Sequence, residues 1–395
     1  MQIHIKGQNE SLKEIADIYG VTEEAIRMIN ALGDNEPSVG EELLILVPTR
    51  TYTVQYGDSI ERIALRFGVR VADIQMLNPW IGDTLKPGQI LAIKYDARRG
   101  GMAMANGYFY KGCNKDKMST VMPYLTYITF AGATADERGV RKNVDFRQEI
   151  SLALREKKTP LLRVYDRYTA RYKCVGDLSG FAEELIGLAQ ADGYKGIVLD
   201  SCPLSNSADE FSAFLILLRK LMIGCDLILI TEINEKSPIE FSEYADGSVM
   251  YYPKYAMENP SSFEAGERSV LADFACRGES AKAFIDLPSL ARRGSGFVTV
   301  DEALTKLRKN RYNIRHNEST LLSHVDAGGQ GEYIFSSLKG IKATLDLIPE
   351  FDYMGICFDI MRTPLSHLMM YNSMFKTHYC SSVRTREGCS RAVEE

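Results

Sequence analysis

The N-terminal part of this chain is written twice. Residues 11–45 and 59–93 align without a gap at a constant offset of 48, setting Ser11 on Ser59, Ile15 on Ile63, Ala16 on Ala64, Gly20 on Gly68, Ile26 on Ile74, Asn30 on Asn78, Gly40 on Gly88 and Ile45 on Ile93. Self-similarity at a fixed period means that one supersecondary unit forms twice. Each copy predicts a short strand (3–5 and 52–54), a turn, two helices and a second, Gly-led strand (41–47 and 89–94). In S-L-K-E-I-A-D-I-Y-G, Ser11 and Glu14 have capping-box spacing, Leu12, Ile15 and Ile18 with Tyr19 form one apolar stripe, and Gly20 supplies the stop. Two small βααβ modules are expected, over residues 1–49 and 50–96.

The second copy reads Y-T-V-Q-Y-G-D-S-I-E-R-I-A-L-R-F-G-V, then M-L-N-P, then L-K-P-G-Q-I-L-A-I, and closely resembles the LysM domain. That resemblance implies binding of peptidoglycan or another N-acetylglucosamine-containing glycan. It places the groove between the turn Gly57, Asp58, Ser59 and Ile60 and the segment Asn78, Pro79, Trp80 and Ile81. The residues alone allow a plainer reading, in which Gly57-Asp58-Ser59 is a turn with a helix cap and Asn78-Pro79 a helix stop. Trp80, the single tryptophan, offers either a face for a pyranose ring or an ordinary packing surface. The first copy departs further, with K-G-Q-N-E-S at its turn and N-A-L-G-D-N after its second helix.

At 395 residues and 45 % apolar content the chain can bury several cores. With 47 basic against 52 acidic residues and no basic cluster, nucleic acid is not an expected partner. No uncharged apolar stretch has membrane-spanning length and the first residues lack a signal-peptide pattern, so no membrane association is expected. The eight cysteines and five histidines are dispersed without ligand spacing, so neither a metal nor a cofactor is expected.

Beyond 96–101 the chain alternates apolar runs with amphipathic segments. Strands are predicted at 102–110, 124–130, 159–165, 195–200, 226–232, 247–252, 281–286 and 353–359, with helices at 145–156, 178–190, 209–222 and 336–347. Eight βα units argue for an α/β fold closed as a (β/α)8 TIM barrel, over 100–372. Between the seventh and eighth strands the spacing breaks, and a helix at 300–310 with strand-like pieces in Y-N-I-R-H-N and G-E-Y-I-F reads as an α+β insertion. The segment 373–395, with Cys380 and Cys389, reads as a C-terminal tail, with disulfide cross-linking between chains as an alternative.

Two LysM-like copies before such a barrel, with V-T-V-D-E-A-L, G-E-Y-I-F-S-S-L-K-G-I-K-A-T-L-D-L-I and M-G-I-C-F-D-I-M, resemble the LysM-bearing glycoside hydrolase family 18 proteins of spore-forming bacteria. The resemblance implies spore cortex-fragment or germination glycosidases, made in the mother-cell cytoplasm without a signal peptide and placed in the spore coat or cortex, with coat proteins as further partners. Enzymes of that family carry D-G-x-D-x-D-x-E on strand four, whose glutamate protonates the glycosidic oxygen while the substrate's acetamide attacks. Its acidic positions fall on Lys195, Val198, Asp200 and Cys202 in K-G-I-V-L-D-S-C, and only Asp200 is acidic. A thiol is a poor replacement for a general acid. The family's strand-six Tyr-Asp falls on V-M-Y-Y-P, leaving Tyr251 or Tyr252 but placing Pro253 at the aspartate, and the sugar-stacking tryptophan of strand eight falls near Phe358 or Asp359.

The reading is therefore a glycan-binding protein with a non-catalytic barrel. The alternative is an active glycosidase with relocated carboxylates, with Asp200, Glu232 and Tyr252 as its working set. Asp166, Asp200, Glu232, Asp286 and Asp359 all end predicted strands and could converge at the barrel mouth; equally they could cap helices or pair with Arg163 or Arg362. Cys202 as a nucleophile lacks a histidine nearby in sequence.

Overall fold

The computed structural model describes residues 1–78, 81–82, 84–95, 101–136, 139–166, 178–200, 208–233, 240–250, 262–277 and 280–377. Packing divides it into two compact units, one holding Met102–Leu287 and Asp346–Met361, the other gathering Met1–Gly101, Pro288–Leu345 and Arg362–Lys376.

In the first unit eight parallel strands form a barrel: β1 (Met102–Phe109), β2 (Tyr127–Asp136), β3 (Thr159–Asp166), β4 (Gly196–Asp200), β5 (Ile228–Ile233), β6 (Gly247–Met250), β7 (Ala283–Asp286) and β8 (Gly355–Asp359). Each pairs with its neighbours, and closure comes from β8 pairing with β1 and β1 with β2. The strands are near-continuous apolar runs because both faces are covered, as in G-I-V-L-D. Their inner faces are set by the period of two. Tyr108, Leu161, Val198, Ile230, Phe284 and Cys357 belong to one buried interior cluster. Two residues further along each strand stand Tyr110, Arg163, Asp200, Glu232, Asp286 and Asp359, the next inward layer toward the C-terminal mouth. The floor is tight: a Cβ on Gly355 would lie 1.8 Å from the Met104 carbonyl oxygen, so only glycine fits there.

The eight expected strands are all present, with ends shifted by a few residues. The second begins at Tyr127, after a 3-10 turn at Met122–Tyr124, and ends in a hairpin with Gly139–Lys142 that the polar G-V-R-K did not announce.

The second unit begins with the repeat. In the first copy Gln2–Ile5 pairs antiparallel with Glu42–Ile45 around helices Leu12–Tyr19 and Glu23–Ile29; in the second, Pro48–Thr53 pairs with Ile90–Tyr95 around Ile60–Phe67 and Val71–Leu77. The capping box of Ser11 and Glu14 forms, and Gly20 and Gly68 end their helices left-handed at φ 64° and 65°. One detail of the expected stripe is corrected. Leu12, Ile15 and Ala16 are buried and Tyr19 packs on them, but Ile18 is 65 % exposed, because a 3.6-residue period turns position 18 away from 12, 15 and 19. The repeat extends to hydrogen bonds: Asn30 Nδ2 donates to the Ile26 and Leu44 carbonyls and its Oδ1 accepts from Leu44 N, while Asn78 makes the same three bonds with Ile74 and Ala92.

The insertion is a five-stranded antiparallel sheet, ordered Gly296–Thr299, Leu290–Arg293, Glu332–Ser336, Leu322–Asp326 and Arg315–Asn317, with helix Val300–Asn310 on it. Helix Leu365–Met374 and Lys376–Thr377 continue past the expected start of the tail at 373, while Cys380 and Cys389 lie outside the described residues.

Candidate functional site

At the mouth of the barrel, among the described residues, stands a buried ion pair. Arg163, from β3, presents its guanidinium side-on to Glu232 of β5: Nε donates to Oε1 at 2.6 Å and Nη2 donates to Oε2. Tyr108 Oη donates to the same Oε1 at 2.9 Å. The Glu232 side chain is fully buried and that of Arg163 is 8 % exposed. Asp200, directly beside Glu232 in the β4–β5 register, lies 3.5 Å from Arg163 Nη2. The guanidinium also sits 3.9 Å from the centre of the Tyr165 ring. Both Glu232 oxygens thus accept hydrogen bonds inside the protein, Oε1 from Arg163 and Tyr108 and Oε2 from Arg163.

Asp286 differs. Burial pushes its carboxyl up to about 7, with Asp359, Glu232 and Glu267 adding to the rise and a hydrogen bond from the Cys357 thiol, at 3.6 Å, opposing it. Burial likewise raises the Cys357 thiol, so it is no ready thiolate. Asp359 Oδ1 accepts from Met361 N at 2.9 Å, closing the turn after β8. Because the folded state holds the Asp286 proton more tightly than the unfolded chain, this residue's contribution to stability is complete below pH about 4 and lost as pH rises to about 7, with a slope of at most about 1.4 kcal/mol per pH unit. Asp286→Asn is expected to flatten that part of the stability–pH curve and to be more stable than wild type at pH 8, as measured by urea unfolding at a series of pH values.

The other sequence candidates are placed as follows. Lys195 is exposed just before β4, at the opposite end of the strand from the mouth, and Val198 is packed in the barrel core. Cys202, Tyr251, Tyr252 and Pro253 lie outside the described residues, as does the side chain of Asp166. Phe358 is buried and alternates with the inward-facing Cys357, so it lies on the outer face of β8 and cannot line the mouth. The residue that sequence reasoning undervalued is Arg163, considered only as a partner for stray carboxylates. Its signal was its phase: in L-L-R-V-Y the charged residue falls on the inward set with Leu161 and Tyr165.

At the second repeat, Gly57 takes φ +83° and Asp58 Oδ2 accepts from Gln55 N and from Tyr52 Oη, both at 2.7 Å. These bonds, the Gln55 amide first, hold its carboxyl below the ordinary range. Ser59 caps the following helix through Arg62 N, and Ile60 and Ile81 pack against the module core. Asn78 has a wholly buried side chain whose amide makes the three bonds above, so its side chain serves the module's framework. Pro79 and Trp80 lie outside the described residues. Among the described residues no cluster of three His, Cys, Asp or Glu could hold a metal ion, and no helix is long and apolar enough to cross a membrane.

Residues 7–46 and 52–94 match the LysM domain. A Bacillus subtilis protein named as a sporulation-specific glycosylase, YdhD, is 35 % identical over 94 residues, which is 24 % of this chain; the match spans only 22 % of that relative's length. Among solved structures, the spore cortex-lytic enzyme SleL of Bacillus cereus superposes with a TM-score of 0.74 at 18 % identity, covering 96 % of this chain and 99 % of that one. A chitinase from Chromobacterium violaceum gives 0.60 at 15 % identity, covering 69 % of this chain and 98 % of its own. The chain therefore carries two LysM domains, joined to an eight-stranded barrel with the fold that spore cortex-lytic enzymes and chitinases share.

Proposed function

We propose that this protein binds peptidoglycan, or a similar N-acetylglucosamine glycan, through its LysM region and that its barrel does not hydrolyse it. The observation that carries the second half is the Arg163–Glu232 pair. Glu232, the relocated acid of the alternative reading, is buried and held on both oxygens by Arg163 and Tyr108. On this reading LysM regions 1–49 and 50–96 serve glycan binding, the barrel region 100–372 serves as a scaffold or docking surface, and 373–395 is a tail. Placement in the spore coat or cortex, with coat proteins as further partners, belongs to the same proposal and draws on the spore-related names of the relatives.

A second reading, an active cortex-fragment glycosidase, is favoured by one observation. A carboxyl brought up to about 7, as Asp286 is, would still carry a proton at neutral pH where substrate chemistry would need one. Cosedimentation of the purified chain with insoluble peptidoglycan, with the supernatant analysed for released fragments, separates the two. Binding without release supports the first; release that disappears in Asp286→Asn supports the second.

A further inference from the structure

The two LysM copies present the same surface to different surroundings. In the second, the lead into the last strand is open: Lys86, Pro87 and Gly88 are exposed, and Ile90 is 47 % exposed. In the first, the counterparts Ser38 and Glu42 are buried, and so is Glu41 beside them. The insertion covers them. Arg308, in the last turn of the helix Val300–Asn310, grips Glu41 with Nη2 2.7 Å and Nε 3.1 Å from Oε1, the two side chains being 2 % and 3 % exposed. Its remaining N–H groups donate to the carbonyls of Asn30 at 3.0 Å and Ala31 at 2.8 Å. Ile314 N donates to Val39 O, His316 Nε2 to Gly40 O at 2.6 Å, and Lys339 N to Glu42 Oε2. The approach is backbone to backbone, since a Cβ on Gly40, at φ +82°, would lie 2.0 Å from Ile314 O.

At the offset of 48, Asn30 and Ala31 are the counterparts of Asn78 and Pro79, so the segment that would bound a groove in the first copy is held by Arg308. The turns differ as well. Tyr56 stands beside Gly57 in the second copy and is 96 % exposed; its counterpart in the first is Gln8. A large aromatic ring standing free in water beside a backbone turn has the shape to stack on the apolar face of a sugar.

We propose that the first LysM copy is a clasp that fixes the N-terminal region to the insertion, and that glycan contact is made by the second copy alone, with Tyr56 as its stacking residue. This rests on the glycan-binding reading above and sharpens it: binding is one-to-one, and no avidity arises within a chain. Calorimetric titration of the full chain with a soluble N-acetylglucosamine tetramer is expected to give one site per chain. Tyr56→Ala should weaken binding about tenfold at an unchanged melting temperature, while Gln8→Ala leaves the affinity as it was. Two sites per chain, a comparable loss in Gln8→Ala, or unchanged affinity in Tyr56→Ala overturns the proposal while glycan binding itself stands. Absence of binding by the wild type, to the tetramer and to insoluble peptidoglycan alike, overturns both.

Discussion

Arg163→Ala is expected to destabilise the barrel by about 3–5 kcal/mol, the range for stranding one member of a buried ion pair. The Glu232 side chain is fully buried, and the substitution removes both of its guanidinium hydrogen bonds while leaving the bond from the Tyr108 hydroxyl. The double variant Arg163→Met/Glu232→Met should recover most of that loss, since well-packed apolar residues commonly match or exceed a buried pair. Urea unfolding of the three proteins measures this. The comparison also bears on function, because a carboxylate kept for catalysis would behave differently: Glu232→Gln would leave the fold intact and remove activity, whereas a structural carboxylate has no activity to remove.

Arg308→Ala should have an effect of similar size in the other unit, again about 3–5 kcal/mol, because Glu41 would keep only the Ser38 amide, and the carbonyls of Asn30 and Ala31 would lose their donors. Hydrogen exchange locates the effect. Protection should fall in the first LysM copy and in the insertion, while the second copy, built on its own core of Val54, Ile63, Ile74 and Leu91, keeps its protection. Arg308→Lys should be intermediate, since an ammonium cannot hold both Glu41 and two carbonyls in one plane. A uniform loss of protection across both copies would contradict the clasp.

What the sequence made legible and what it hid follow from the range of the interactions. The repeat was visible because the two copies share caps, stripes and the Asn30/Asn78 bridge, all set within modules of fewer than fifty residues. The barrel strands were visible because burial on both faces makes them continuous apolar runs. The insertion was half hidden: L-A-R-R buries one residue, G-F-V-T buries none fully, and these two and L-S-H-V-D alternate too poorly to stand out as strands. The site was the least legible part. That Arg163 meets Glu232, 69 residues away, depends on the phase and register of β3, β4 and β5 together, and no local pattern encodes it. The mismatch between Cys202 and the resembled family's motif could be read from the sequence; the Arg163–Glu232 pair at the mouth could not.

The most direct test of the central claim is turnover. The purified 395-residue chain is incubated with spore cortex fragments and, separately, with N-acetylglucosamine oligomers, at pH 5 to 8, and new reducing ends are counted against a buffer blank, with cosedimentation confirming that the same preparation binds peptidoglycan. A chain that binds and produces no reducing ends above the blank is the predicted result. Release of reducing ends that is abolished by Glu232→Gln or by Asp286→Asn would contradict it.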